Sequence, residues 1–208
     1  LGQNIITSNT DAQSRAQGSM RVISTGFYSF DNATVIGGTQ TATAISDSNN
    51  DRATARGIFA QNNATITNAS TSATAEGAGT FASNAYGVLV NGDTNIDRLN
   101  SRLILTGGMH TARVQSSTNA TAAGIVSPNG AIISAANTQA FAESTGTGNA
   151  SAAGIGSGVG NAVVEVTGGT HTAQALSIGN ATASGIIGGS SNIIKDVRVS
   201  ATATSSGA

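Results

Sequence analysis

The chain has 208 residues, a net charge of −1, 9% charged and 3% aromatic residues, 27 glycines, a single proline and no cysteine. So balanced a charge gives no long-range attraction to nucleic acid, which is excluded as an expected partner, and without cysteine there are no disulfides or thiolate metal sites. With 38% hydrophobic residues and little charge or proline, the composition departs from that of disordered chains and predicts a fold that is ordered but thinly cored. No stretch approaches the roughly 18 to 20 apolar residues of a membrane-spanning helix, so no transmembrane segment is expected. Leu1 in place of an initiator methionine points to a removed signal peptide or to a fragment, and the expected location is extracellular or at the cell surface.

Taken in order, the chain opens on Asn4-Ile5-Ile6 and Ala12-Gln13-Ser14, which resemble segments that return later. From there Gly26, Gly57, Gly87, Gly124, Gly154 and Gly185 recur at intervals of 31, 30, 37, 30 and 31 residues, in phrases such as ATARGI, ATAAGI, ASAAGI and ATASGI. A fixed period of this size is the mark of a repeat protein in which each copy stacks on the next. Alanines stand four and two positions before most of these glycines, and an apolar residue follows each one: Phe27, Ile58, Val88, Ile125, Ile155 and Ile186. A spacing of two means one face of a strand, and the step across the glycine breaks that parity. The glycine is therefore expected at a bend or bulge, where it tolerates unusual backbone angles.

A second segment follows five of the six glycines, opening on asparagine and running into β-branched residues: 32–36, 63–66, 129–133, 161–166 and 192–197. These residues suit a pleated surface and should form the bulky part of the core. The third segment carries an alanine column, Ala42, Ala73, Ala112, Ala140, Ala173 and Ala201. Each has a second small or apolar residue two positions on, and mostly polar residues alternate with them, as on a strand with one buried face. A period of two, frequent Gly and Thr, and scarce Leu, Glu and Lys argue against helices.

The expected fold is all-β, a single-stranded parallel β-helix (β-solenoid) with about 30 residues and three short strands per coil. It has about six and a half coils, divided as 19–50, 51–79, 80–117, 118–147, 148–178 and 179 onward after an initial half coil. Residues 1–208 form one domain, and the 37-residue interval marks a polar loop inserted near 91–102. The repeated N-A-T/S-A-x-G-I phrase followed by N-x-x-I resembles the repetitive parallel β-helix proteins that bacteria display or secrete: autotransporter passengers, haemagglutinin-like adhesins and surface-fibre proteins. The resemblance covers nearly the whole chain and implies rigid display with adhesion to glycans, host surfaces or matrix.

Four groups of residues are candidate sites. Carboxylates, the usual tools of glycan cleavage, form three sets of expected neighbours: Asp47 with Asp51, Asp93 with Asp97, and Glu76 with Glu143. Turn charges in solvent are the plainer reading, and the spacing lacks the density of a calcium cage. His110 and His171 share a register in GGMHTA and GGTHTA, two coils or about 9.6 Å apart. That is too far to share a zinc ion, and they are expected to face outward. Ranks of Thr and Ser, Thr41 with Thr43, Ser72 with Thr74 and Ser200 with Thr202, would suit an ice-binding plane that Arg113 and Phe141 interrupt. Asn32, Asn63, Asn68, Asn119, Asn149 and Asn180 head N-x-[ST] sequons, so they are candidate glycosylation acceptors as well as turn residues that can stack in ladders.

No cofactor or metal is expected. The leading functional expectation is a non-enzymatic structural or adhesive protein that associates with itself head to tail into a filament. The alternatives are a polysaccharide-active enzyme and an ice-binding solenoid.

Overall fold

A computed structural model describes residues 3–6, 11–19, 21–47, 52–90, 102–157, 162–189 and 191–207. All their regular structure is strand, arranged in three parallel sheets. Sheet A stacks β1 (Gln3–Ile6), β4 (Asn32–Ile36), β7 (Ala64–Thr67), β10 (Leu103–Thr106), β13 (Ala131–Ser134), β16 (Val163–Thr167) and β19 (Ser191–Lys195). Sheet B stacks β2 (Ala12–Gly18), β5 (Thr39–Ser46), β8 (Ser70–Gly77), β11 (Met109–Ser116), β14 (Asn137–Ser144), β17 (Thr170–Ser177) and β20 (Arg198–Ser205). Sheet C stacks β3 (Val22–Ser29), β6 (Ala53–Ala60), β9 (Ser83–Val90), β12 (Ala120–Val126), β15 (Ala150–Gly156) and β18 (Ala181–Ile187). The chain visits C, A and B in turn, and each strand pairs in parallel with its equivalents one coil away. The fold is a β-solenoid, as the period requires.

The alanine column is continuous in register: Ala42 pairs with Ala73, Ala73 with Ala112, Ala112 with Ala140, Ala140 with Ala173 and Ala173 with Ala201. All but Ala201, which lies in the last coil and is exposed, are buried. The interior has two compartments. Between sheet B and the first half of sheet C the side chains are almost all alanine, including Ala44, Ala75, Ala142, Ala55, Ala122 and Ala152. Between sheet A and the second half of sheet C they are mainly bulky, with Ile58, Ile66, Leu103, Leu105, Ile125, Ile133 and Ile155 fully buried.

The repeat glycines lie where sheet C passes from one compartment to the other, and the register skips them, as between Ala123↔Ala153 and Ile125↔Ile155. The expected parity break is there, but its cause differs from the one inferred from sequence. None of these glycines has a positive φ. What forbids a side chain is close approach: a Cβ on Gly26, Gly57, Gly124 or Gly154 would stand 2.5–2.8 Å from the carbonyl oxygen of the next glycine in the column. Each such Cβ would also press on the residues of sheet B that face it, 2.7 Å from the Thr138 Cβ in the case of Gly124.

Positive φ belongs instead to the corner between sheets A and B, and there the coils alternate. Gly37-Gly38, Gly107-Gly108 and Gly168-Gly169 turn three of them, all at positive φ. The intervening corners are Asn68-Ala69, Ala135-Ala136 and Asp196-Val197, with φ of 51°, 52° and 54° at their first residues. Ala69 and Ala136 put their methyl groups into the bulky compartment, and Val197 packs against it. Two residues past each corner, the chain places Gln40, His110 and His171 after the glycine pairs, and Thr71, Thr138 and Val199 after the others. These six form one register column, large alternating with small. The same alternation appears at the strand starts, where Asp11 Oδ1, Ser70 Oγ and Asn137 Oδ1 accept from the backbone N–H of Thr39, Met109 and Thr170 in the glycine-pair coils. The structural unit is two coils.

Candidate functional site

Outward-facing positions of sheet B form two adjoining ranks. Thr41, Ser72, Thr111, Gln139, Thr172 and Ser200 are in register, and so are Thr43, Thr74, Arg113, Phe141, Gln174 and Thr202. The stretch from the second rank of coils to the last bounds a shallow concavity of about 590 Å³ with Arg113 and Phe141 at its centre. The Arg113 guanidinium lies 4.7 Å from the Phe141 ring centroid, a cation–π contact that holds a planar cation and an aromatic ring together on an otherwise hydroxyl- and amide-bearing strip. Thr, Ser and Gln here can both donate and accept hydrogen bonds, and the ring supplies an apolar face. The T-x-T ranks weighed for ice binding are in register, but the Arg113–Phe141 pair stands in their middle.

The carboxylates are grouped differently from the expectation. Glu76 and Glu143 lie in one column with Gln115 between them, so they are two strand spacings, about 9.6 Å, apart. Gln115 Nε2 donates to Glu143 Oε2 at 3.2 Å. Glu76 instead shares a second concavity, of about 440 Å³, with Asp47, whose Oδ2 accepts from Gln17 Nε2 at 3.2 Å. That meeting was not legible because Asp47 sits past the end of β5, where period and parity no longer fix direction. Asp51 and the inserted Asp93, Asp97 and Arg98 lie outside the described residues. Among the described residues no three His, Asp or Glu side chains come together as a metal site.

His110 and His171 do not face outward. Both are completely buried, and this corrects the expectation. Thr71 Oγ1 and His110 Nδ1 are 3.1 Å apart, as are Thr138 Oγ1 and His171 Nδ1. His110 Nε2 lies 3.3 Å from the Gly107 carbonyl oxygen, so that nitrogen carries the proton and Nδ1 accepts from the threonine. Burial pushes the His110 pKa down to about 4, against the raising effect of the Gly107 carbonyl. The His171 pKa is also lowered by burial, with the Gly168 carbonyl acting in the opposite direction. Its Nε2 is buried. The His110 ring occupies space that its glycine corner leaves empty, since a Cβ on Gly108 would lie 3.1 Å from His110 Nε2; a Cβ on Gly169 would instead meet the backbone of Ala136.

A feature the sequence reading missed lies on the outer face of sheet C. Tyr28 stacks on Phe59 at 5.2 Å with the planes 18° apart, and the Arg56 guanidinium lies 4.6 Å from the same ring. Tyr86 is Arg56's register partner, and burial raises its pKa while Arg56 lowers it. The available signal was the parity break itself: Arg56 precedes Gly57 by one and Phe59 follows it by two, which puts both outside.

The asparagines act as a backbone ladder. Asn119 Oδ1 accepts from the Asn149 N–H at 2.8 Å, and Asn149 Oδ1 accepts from the Asn180 N–H at 3.2 Å. Asn63 Nδ2 donates to Asn32 Oδ1 at 2.8 Å, while Asn63 Oδ1 accepts from the Arg102 N–H. Asn68 turns a corner in the left-handed region, a conformation asparagine tolerates better than most residues. No protein-family model matches the chain, and neither comparison with curated proteins nor comparison with solved structures gives a significant match.

Proposed function

We propose that this solenoid is a non-enzymatic extracellular structural or adhesive protein, of the kind bacteria display as autotransporter passengers or haemagglutinin-like adhesins. It works as a rigid rod that self-associates head to tail into a filament, with the outer face of sheet B as its contact surface for glycans or matrix. The observation that carries the reading is the uninterrupted register of all three ladders. Coil after coil keeps the same columns, with Ala201 and Ala203 in line with Ala173 and Ala175, and repeats that stack through identical ladders within a chain offer the same pairing between chains. Electron microscopy of the purified protein under native conditions is the test. Filaments are expected, and an Ala203→Pro substitution in β20, which removes one backbone donor on the side facing away from β17, should shorten them. Dispersed monomers only would refute head-to-tail assembly.

A second reading is a polysaccharide-active enzyme, favoured by the shared concavity of Asp47 and Glu76. Two carboxylates in one recess are the minimum for acid–base cleavage of a glycosidic bond. Glycan depolymerisation that disappears in Glu76→Gln would support it, and turnover unchanged in Glu76→Gln and Asp47→Asn would remove it. Thermal hysteresis measures the ice-binding alternative in the same way, through its loss on enlarging Thr43 and Thr74.

A further inference from the structure

The register column of Gln40, Thr71, His110, Thr138, His171 and Val199 runs along the inside of the solenoid, at the seam between its two compartments. Sheet B carries these residues in register, and the glycines of sheet C approach them closely. The corners leaving sheet A lead into the column. A Cβ on Gly124 would lie 3.1 Å from the His110 carbonyl oxygen and one on Gly154 3.2 Å from the His171 Cβ. The glycines of sheet C therefore pack on the backbone and Cβ of these residues, while the side chains of Thr71, Thr138 and Val199 flank the rings along the column.

Among the described residues no ionisable side chain hydrogen-bonds to either ring, although Lys195 and Asp196 stand at the corner stacked on Gly168-Gly169. Around His110 the neighbours are Thr71 on β8, Thr138 on β14, Gly87 on β9, Gly124 on β12, and Gly107, Gly108 and Ala69 at the corners. Around His171 they are Thr138 on β14, Val199 on β20, Gly154 on β15, and Gly168 and Gly169 at its own corner. The charged residues of these strands, Glu76, Arg113, Glu143 and Arg198, stand at the opposite parity on the outer face, as does Tyr86 on β9. An imidazolium formed here would have no carboxylate among the described residues hydrogen-bonded to it, and a lone buried charge is too costly to persist. The corner must open instead.

We infer that the column is an acid-responsive device: proton uptake by His110 and His171 opens the two glycine-pair corners that precede them, so that the solenoid is tight at neutral pH and loosens along sheet B in acid. In the unfolded chain both histidines titrate near the ordinary value of about 6.5. Their folded values lie lower, so the unfolded state binds more protons below pH 6.5 and stability falls as the pH falls. For His110 the loss continues down to about pH 4, which weakens the folding equilibrium by up to about 300-fold from this ring alone. Above pH 6.5 the contribution is fully present and flat.

The test compares urea unfolding of the full chain between pH 7 and pH 4 with that of the His110→Gln/His171→Gln double variant. Gln40 already occupies the equivalent place behind Gly37-Gly38, so glutamine fits the slot. The wild type should lose stability steeply below pH 6.5, and the variant should keep only the shallower slope due to its carboxylates. Equal slopes overturn the inference. Should the variant fail to fold, the imidazole Cε1 protons of the wild type decide by NMR. Folded-state titration of both rings near pH 6.5 overturns the inference, and titration well below it, with amide exchange rising first at residues 107–111 and 168–172, supports it.

Discussion

On the sheet B side of the column glycines, facing sheets meet through alanine, whereas on the sheet A side they meet through isoleucine, leucine and valine. Both arrangements are repeated coil after coil by the same ladders, so the difference isolates packing from topology. An alanine methyl contributes about one buried carbon, roughly 0.8 kcal/mol, and each fully buried Ile or Leu roughly 1.5–3 kcal/mol. The bulky compartment thus supplies most of the hydrophobic driving force. The alanine compartment supplies closeness, holding the two sheets near enough that neither offers space for a larger group. The first is sensitive to truncation and the second to enlargement.

The glycine between the compartments should be the least tolerant position of all. Gly124→Val places a Cβ 2.7 Å from both the Gly154 carbonyl oxygen and the Thr138 Cβ. Neither can retreat without parting the ladder, so loss of the folded coil is expected, visible as loss of the cooperative transition in circular dichroism. Next comes Ile125→Ala in the bulky compartment, expected to cost about 2–5 kcal/mol by urea denaturation. In the alanine compartment the order reverses. Ala140→Leu should cost about 1–3 kcal/mol or more through overpacking, while Ala140→Gly should cost about 1 kcal/mol. A tolerated Ala140→Leu would mean that the sheets are not held as close as the alanines imply. The smallest effect belongs to the surface: Phe141→Ala removes an exposed cation–π contact worth about 0.5–1 kcal/mol, and its consequence should appear in adhesion rather than in stability.

Much of this was legible because a solenoid writes its geometry as period and parity. Intervals of 30 and 31 counted the coils, and alternation placed Ala42, Ala73, Ala112, Ala140 and Ala173 inside. The error over His110 and His171 is instructive because parity had the answer. Each lies two positions before a buried alanine, hence on the inner face, and polarity was allowed to outvote that. What admits the His110 ring is the absent side chain of Gly108, a volume effect between residues that no single-strand pattern records. The corner angles were misplaced for a related reason: a glycine excluded by close approach and a glycine required by positive φ read identically in sequence. The pairing of Asp47 with Glu76 lay beyond reach because it depends on a turn.

The alternation of glycine-pair corners with alanine or valine corners also sets a rule for length. Excising the single coil that carries Ala135-Ala136 and Thr138 would lay His171 directly on His110, ring against ring in a slot sized for a ring against a threonine. Removing or duplicating two coils together restores the sequence of large on small. Any rod built on this plan can grow or shrink without penalty only in even steps, so the natural coin of its variation is the coil pair.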